Sequence, residues 1–436
     1  MAPLKKQHYD IVIIGAGMVG TSLAAMLLER AGSLNLRIAL LESGGIQPKA
    51  GLDAYQPSFD ARATALAYGS AQIYQQLSLW DKISQRAQPI TQIHVSDKGH
   101  FGATRLRAET EHVPALGYVV ENKWLGEVLF EQLAQHPNAQ CLSLFSEAQV
   151  QNINRKDGVS TLTVQTVKGE LALSADLVVM ADGGRSSLRE AMGIKYTEQP
   201  YHQSALVCNV EIDRAHQNTA YERFTDTGPM ALLPLKSQNK QHLCGLIWTV
   251  AEDQLDKMLA LDDAAFLTAL QQRFGYRLGR FISAGSRVNY PLKLQSAQEQ
   301  VRPGVVIVGN AAHTLHPLAG QGFNLALRGV AALTEHLFNA RANNVALSDY
   351  KMLQAYQQTR IGDQRSTLGF SDKSMKLFTS TNALLTLGRD LGLQLLDITP
   401  VAKTLFARSA MGLTSALPEF NGGEDPTNSQ VGEDAK

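Results

Sequence analysis

The sequence predicts an α/β fold in which a parallel sheet is interrupted by a mostly antiparallel one and followed by a helical C-terminal region. Three observations predict it. First, the apolar strands Tyr9–Ile14, Leu177–Met180 and Val305–Val308 each run into a glycine-bearing turn. Strands that are apolar on both faces suit a parallel sheet covered on both sides. Second, between about 191 and 290 apolar and polar residues alternate, as in Ser204–Ile212 and His242–Val250. Turn signals such as Thr227-Gly228-Pro229 separate these segments, which reads as an inserted, mostly antiparallel sheet. Third, residues from about 345 to 416 follow a helical pattern, with Leu384, Leu387, Leu391 and Leu395 at helix spacing.

The chain has 436 residues, enough for two or three domains at about 150 residues each. Lys+Arg and Asp+Glu both number 40, so the basic excess expected of a nucleic-acid binder is missing. Cys141, Cys208 and Cys244 are scattered and form no CxxC pair, which argues against a zinc knuckle or a dithiol motif and for reduced thiols. No metal-ligand pattern occurs. The strand Ile11–Ile14 is far shorter than the apolar core of a signal peptide. No apolar run approaches the ~18 residues that span a bilayer. The expected location is cytoplasmic, with peripheral attachment to the inner membrane as the alternative. Residues 417–436 are rich in Pro, Gly, Asn, Asp and Glu, and read as a disordered tail.

The first turn reads Gly15-Ala16-Gly17-Met18-Val19-Gly20, after a strand and before the helical stretch Val19–Arg30. In this Rossmann-like setting Gly15 permits the tight turn, Gly17 lets the backbone approach a pyrophosphate, and Gly20 lets the helix pack on the sheet. The helix N-terminus then offers free N–H groups and the positive end of its dipole to phosphate. The next strand, Arg37–Leu41, ends in Glu42, placed to accept hydrogen bonds from an adenosine ribose and to repel a 2′-phosphate. The second turn is Asp182-Gly183-Gly184-Arg185-Ser186-Ser187-Leu188-Arg189, matching DGxxSxxR. The third runs from Gly309-Asn310-Ala311-Ala312-His313 through His316-Pro317 to Gly320-Gln321-Gly322-Phe323-Asn324, ahead of a helix expected over about Phe323 to Ala340. It follows GDAAHxxxPxxGQGxN, with Asn310 in place of the usual Asp.

These three motifs in this order resemble the aromatic flavoprotein monooxygenases related to para-hydroxybenzoate hydroxylase. Asp60 to Leu66, His94 to Asp97, Glu222-Arg223-Phe224 and Gly228-Pro229 also resemble the ubiquinone-biosynthesis branch, most of all the 2-octaprenyl-6-methoxyphenol hydroxylase type. The resemblance implies a discontinuous FAD-binding domain (1–85, 111–190 and 289–340), a substrate domain (86–110 and 191–288), a C-terminal helical region (341–416) and the tail.

It further implies an FAD-dependent monooxygenase that uses O2 and NAD(P)H, the latter as a transient reductant, and hydroxylates a polyprenylated phenol through a flavin C4a-hydroperoxide. The expected conversion is 2-polyprenyl-6-methoxyphenol to 2-polyprenyl-6-methoxy-1,4-benzoquinol. Arg62 is expected at the FAD pyrophosphate. Asn122, Asp182, Gly183, Asn310, Gly320, Gln321 and Gly322 complete the cofactor set, and the helix beginning near Gly320 stabilises charge on the reduced flavin. His316 and Pro317 are the catalytic candidates. The Pro317 carbonyl would accept from the phenol hydroxyl and His316 would help take its proton, or His316 is a packed loop residue. His313 is expected to cap structure within its motif. Arg185 and Arg189 either meet the nicotinamide cofactor or pair with nearby acids.

Met230, Ala231, Leu232, Leu233 and Trp248 are wall candidates for the lipid tail. Leucine-rich 384–396 either faces a membrane or partner protein, or is core. Other ubiquinone-biosynthesis proteins are expected partners. Two alternatives remain: a same-fold hydroxylase acting at another ring position or on a small phenol, and a non-catalytic flavin-binding subunit of a ubiquinone-synthesis complex.

Overall fold

The computed structural model describes residues 7–46, 62–98, 103–184, 187–237, 241–315, 320–379 and 399–413. Its first sheet has eight strands. Five are parallel neighbours in the order Val305–Ile307, Gly169–Met180, Gln7–Ile14, Ile38–Leu41 and Leu142–Phe145. The register sets Ile307, Met180, Ile14 and Leu41 in one row at the C-terminal edge.

Strand Gly169–Met180 is longer than the sequence pattern indicates, and the reason is its surroundings. Its second half is buried on both faces and lies between parallel partners. Its first half pairs antiparallel with Val159–Thr166, which in turn pairs with Ala148–Lys156. There the burial is partial, so no continuous apolar run marks it.

The second sheet has nine strands. In spatial order they begin His313–Thr314, Val288–Ala297, Tyr196–Ile212 and His242–Ala251. They continue Gly228–Pro234, Thr219–Thr225, Gln92–Asp97 and Ala103–Arg107, with Phe281–Ala284 also paired to Tyr196–Ile212. Only Thr219–Thr225 and Gln92–Asp97 run parallel. Helix Asp263–Phe274 covers one face, and Phe266, Leu270 and Phe274 pack there against Met230, Leu232 and Trp248. This corrects the expected tail-binding wall. Strand alternation sends Met230, Leu232 and Trp248 into that core. Leu233 packs in a separate cluster with Ile90, Val119 and Ala220.

A small third sheet joins Ala63–Ala67, Gly117–Glu121 and Gln88–Ile90. The main core lies between the first sheet and helices Met18–Ala31, Asn122–Gln135 and Gln321–Ala342. The last of these starts two residues earlier and ends two later than its pattern indicates. The C-terminal region contains helices Tyr350–Thr379 and Pro400–Ala410. Leu384, Leu387, Leu391, Leu395 and the tail lie outside the described residues, as do Asp60, Arg185 and Ser186.

The long C-terminal helix is tied to Gln321–Ala342 by buried charge. Asp363 accepts from Arg328 Nε at 2.9 Å and Nη2 at 3.0 Å, and also pairs with Arg360. Arg328 is only 3% exposed. Burial alone would raise the Asp363 pKa, but hydrogen bonds and charge from Arg328, with Arg360, outweigh it and hold the carboxyl below its ordinary value. Removing that charge strands two buried cations, which typically costs about 3–5 kcal/mol. Asp363→Asn is therefore expected to lower unfolding stability by that order. Urea denaturation followed by far-UV circular dichroism checks it, and a midpoint equal to wild type would contradict the account.

Candidate active site

The row at the C-terminal edge of the parallel sheet carries the three glycine-bearing turns. Main-chain bonds extend the sheet pairing into each: Gly15 N–H donates to Leu41 at 2.8 Å, Ala181 N–H to Ile14 at 2.8 Å, and Val308 N–H to Met180 at 2.9 Å. Crevices beyond the carboxyl ends of parallel strands are the usual ligand sites of such sheets.

The first turn is closely fitted. Gly15 has φ +104°, and a Cβ there would lie 2.6 Å from the Ala181 carbonyl oxygen. A Cβ at Gly20 would lie 1.9 Å from the Gly15 oxygen, so only glycine lets helix Met18–Ala31 sit on the turn. Gly17 is the N-cap of that helix in ordinary extended geometry, with no acidic residue in the first turn to compete for the free N–H groups. Glu42 Oε2 accepts from Ala16 N–H at 2.8 Å, while Oε1 accepts from Gly44 N–H at 3.0 Å. The carboxylate thus anchors the glycine turn itself, a role that its place in the sequence did not reveal.

In the second turn Asp182 Oδ1 accepts from Gly184 N–H at 3.0 Å, and Gly183 and Gly184 both have positive φ. Arg189 donates to the Gly184 carbonyl, and its guanidinium lies 4.5 Å above the Tyr196 ring. Tyr196 in turn donates its hydroxyl to the Ala311 carbonyl at 2.6 Å. This aromatic clamp joins the second motif to the third.

In the third, a Cβ at Gly309 (φ +64°) would meet Val19 Cγ2 at 3.2 Å. Asn310 is exposed. His313 is buried, and neither ring nitrogen has a hydrogen-bond partner among the described residues, so it does not cap its motif by hydrogen bonding. Burial first, then the Arg360 charge, pushes its pKa down to about 4. His316 and Pro317 lie outside the described residues.

Gly320 adopts a left-handed conformation (φ +61°) as N-cap of Gln321–Ala342. Gln321 donates its amide to the Ala410 carbonyl at 3.2 Å, which fixes it to the C-terminal helix. At Gly322 a Cβ would meet no atom within 4 Å.

Asn324, quoted in the motif without a role, proves to be a junction. Its Oδ1 accepts from Ala67 N–H and Ser70 Oγ, both at 2.7 Å. Its Nδ2 donates to the Ala65 and Gly320 carbonyls, both at 2.8 Å. All four hydrogen-bonding positions of the amide are filled. The helix start is thereby locked to strand Ala63–Ala67, which follows Arg62 directly. The Arg62 carbonyl accepts from Asn122 N–H at 2.8 Å, and Asn122 Oδ1 accepts from Thr64 Oγ1 at 2.6 Å. The Arg62 guanidinium lies 4.5 Å above the ring of Tyr290.

The structure therefore brings Gly15, Gly17, Gly20, Glu42, Asp182, Gly183 and Asn310 together at one sheet edge. Asn324 links Gly320 to the strand beside Arg62 and Asn122. Sequence reasoning gave no role to Asn324, Tyr196 or Tyr290. Nor did it single out Tyr201, whose hydroxyl is pushed up to about 12 by burial and by Asp372.

Comparison with known proteins agrees with this geometry. The family model described as FAD binding domain matches residues 8–361. Ubiquinone hydroxylase UbiL of Rhodospirillum rubrum is 34% identical, over 94% of this chain and 91% of its own. The 3-demethoxyubiquinol 3-hydroxylase of Escherichia coli is 30% identical, over 94% and 100% respectively. Among solved structures, p-nitrophenol 4-monooxygenase PnpA from Pseudomonas putida superposes with a TM-score of 0.73, covering 94% of this chain and 98% of that one. At 18% identity that likeness concerns the fold.

His313 supplies an acid-sensitive element of stability. Its folded pKa of about 4 lies below the unfolded value near 6.5. The unfolded chain therefore takes up the proton first, and the stability that neutral His313 provides is complete above pH 6.5 and is lost as pH falls toward 4. A tenfold difference in proton affinity between the folded and unfolded chain is worth about 1.4 kcal/mol. Wild type minus His313→Gln, compared by denaturant midpoints from pH 7.5 to 4.5, should shrink as pH falls. A constant difference would contradict the assignment.

Proposed function

The chain belongs to the FAD binding domain family and is an FAD-dependent monooxygenase of the ubiquinone-hydroxylase kind, and from that premise we propose that it hydroxylates 2-polyprenyl-6-methoxyphenol to 2-polyprenyl-6-methoxy-1,4-benzoquinol. The observation that carries the cofactor part of the reading is the convergence of three glycine-bearing turns on one sheet edge, and the choice of substrate rests on the likeness to ubiquinone hydroxylases. These residues fit FAD: a glycine cradle at a helix N-terminus for the diphosphate and a carboxylate at the second strand end for the ribose, with Arg62 as the cation that the family resemblance assigns to the diphosphate.

When bound, FAD accepts reducing equivalents from NAD(P)H and activates O2, which is the redox step no side chain can supply. The protein's part is binding, orientation and proton handling. Gly15, Gly17 and Gly20 shape the diphosphate cradle, and Glu42 receives the ribose. Arg62 neutralises phosphate charge, and Asn122 supports it through the main chain. Asp182, Gly183 and Asn310 line the neighbouring turns. The N–H groups near Gly320, Gln321 and Gly322 favour negative charge on the reduced ring. Pro317 holds the phenol hydroxyl through its carbonyl, and His316 takes the phenol proton.

No described helix is long and apolar enough to cross a membrane. Phe370, Val401 and Leu405 on the C-terminal helices are exposed, which supports peripheral contact with the membrane that would hold such a substrate. The name of the Escherichia coli relative favours a second reading, in which the ring position is that of a 3-hydroxylase.

A strain lacking this chain is expected to accumulate the methoxyphenol precursor, identified by mass spectrometry. Wild type should restore quinone, and Gly17→Val, which crowds the diphosphate approach, should not. A demethoxy precursor would select the second reading, and normal quinone would sink both.

His316→Gln keeps polarity but cannot take the proton. Product formed per NAD(P)H oxidised, measured across pH 6 to 9, is expected to fall by about 10²-fold or less, because general-base assistance is worth about 10²–10⁴ and water can replace part of it. Unchanged coupling at every pH would return His316 to a packing role.

A further inference from the structure

We propose that Tyr290 is a positioning residue for the cofactor: its ring holds the Arg62 guanidinium in the orientation that receives the diphosphate. The inference rests on the reading of Arg62 given above and adds a residue from the other sheet. Tyr290 lies on strand Val288–Ala297, opposite Ala205 in the antiparallel sheet, whereas Arg62 directly precedes strand Ala63–Ala67 of the small sheet. The separation of 4.5 Å between the guanidinium carbon and the ring centroid is that of a cation–π stack.

The geometry favours support over competition. A guanidinium carries all five N–H donors in its plane, and an aromatic ring occupies only one of its faces. Stacking therefore occupies a face of the guanidinium and none of its in-plane donors. It also removes rotamer freedom that a long arginine would otherwise lose on binding, so part of the ordering cost falls in the free protein. The Arg62 main chain is fixed as well, through its carbonyl bond from Asn122 N–H. The side chain is thus held at both ends, at the backbone by the helix Asn122–Gln135 and at the head by Tyr290.

The arrangement has a counterpart at the second motif. Tyr196, on a neighbouring strand of the same antiparallel sheet, stacks on Arg189 at the same 4.5 Å. The antiparallel sheet therefore sets an aromatic ring on two arginines outside it, Arg62 ahead of the small sheet and Arg189 of the second turn. Cofactor affinity should depend on a side chain that belongs to neither the glycine motifs nor the parallel sheet.

The test is FAD binding to the flavin-stripped full chain, followed by quenching of flavin fluorescence. Tyr290→Leu is expected to weaken the Kd by about 3- to 30-fold, the range of a cation–π contact. Tyr290→Phe, which keeps the ring, should remain within about 2-fold of wild type. Arg62→Ala should weaken binding as well, and the Arg62→Ala/Tyr290→Leu pair should be no weaker than Arg62→Ala alone. Additive losses, or wild-type affinity in Tyr290→Leu while Arg62→Ala is impaired, would overturn the positioning role alone. Wild-type affinity in Arg62→Ala would remove its basis. Failure of the wild-type chain to take up FAD would instead defeat the cofactor reading.

Discussion

Everything at the site depends on register in the parallel sheet. The pairing of Leu41, Ile14, Met180 and Ile307 in one row means that the next residue on each strand enters its turn at the same level. The three main-chain bonds from Gly15, Ala181 and Val308 carry that level past the last side chains. A parallel strand has its register fixed by crossovers and by burial on both faces, so a slip of one residue would invert every side chain at once. The apolar runs of these strands are therefore as much a part of the site as its glycines. The crowding of Gly15 against Ala181, and of Gly20 against Gly15, shows how little slack the turns have.

A second tier of polar contacts aligns what the sheet does not reach. Asn324 joins the start of Gln321–Ala342 to Ala63–Ala67, and Asp363 joins the middle of that helix to Tyr350–Thr379. Both are buried, and each is held by several partners. In a low-dielectric interior a half-satisfied amide or carboxylate is costly, so such groups specify one arrangement of their helices against many near neighbours. His313 belongs to the same neighbourhood, kept neutral between a sheet edge and the Arg360 charge.

Much of the architecture was legible because it is written locally. Gly15 to Gly20, Glu42 and the three apolar strands combine a periodic pattern with turn chemistry, and both are readable along the chain. The alternation of Ser204–Ile212 announced the antiparallel sheet in the same way. What escaped was non-local. Tyr290 and Tyr196 look like ordinary strand tyrosines until folding sets them over Arg62 and Arg189. Asn324 lies inside a recognisable motif, yet its partners at Ala65, Ala67 and Ser70 are roughly 250 positions away, beyond any spacing rule. Glu42 was placed at the right strand end, but its bond to Ala16 could not be read from spacing. The proposed wall of Met230, Leu232 and Trp248 failed because alternation says that strand side chains divide between two faces, but not which face meets a helix.

Strand Gly169–Met180 has a consequence for the order in which the molecule can be assembled. Its first half is paired by Val159–Thr166, the strand made just before it, but one edge of its second half waits for Val305–Ile307. Those residues leave the ribosome roughly 125 positions later, about 6–25 s at ordinary rates of synthesis. During that interval the nascent chain carries an apolar strand with an open flank, the kind of edge that recruits other chains. Most strands of the antiparallel sheet are made in the same interval. Vectorial synthesis thus obliges the insertion to fold beside an unfinished neighbour, and the last parallel strand takes its place in the open sheet only after the insertion has been made.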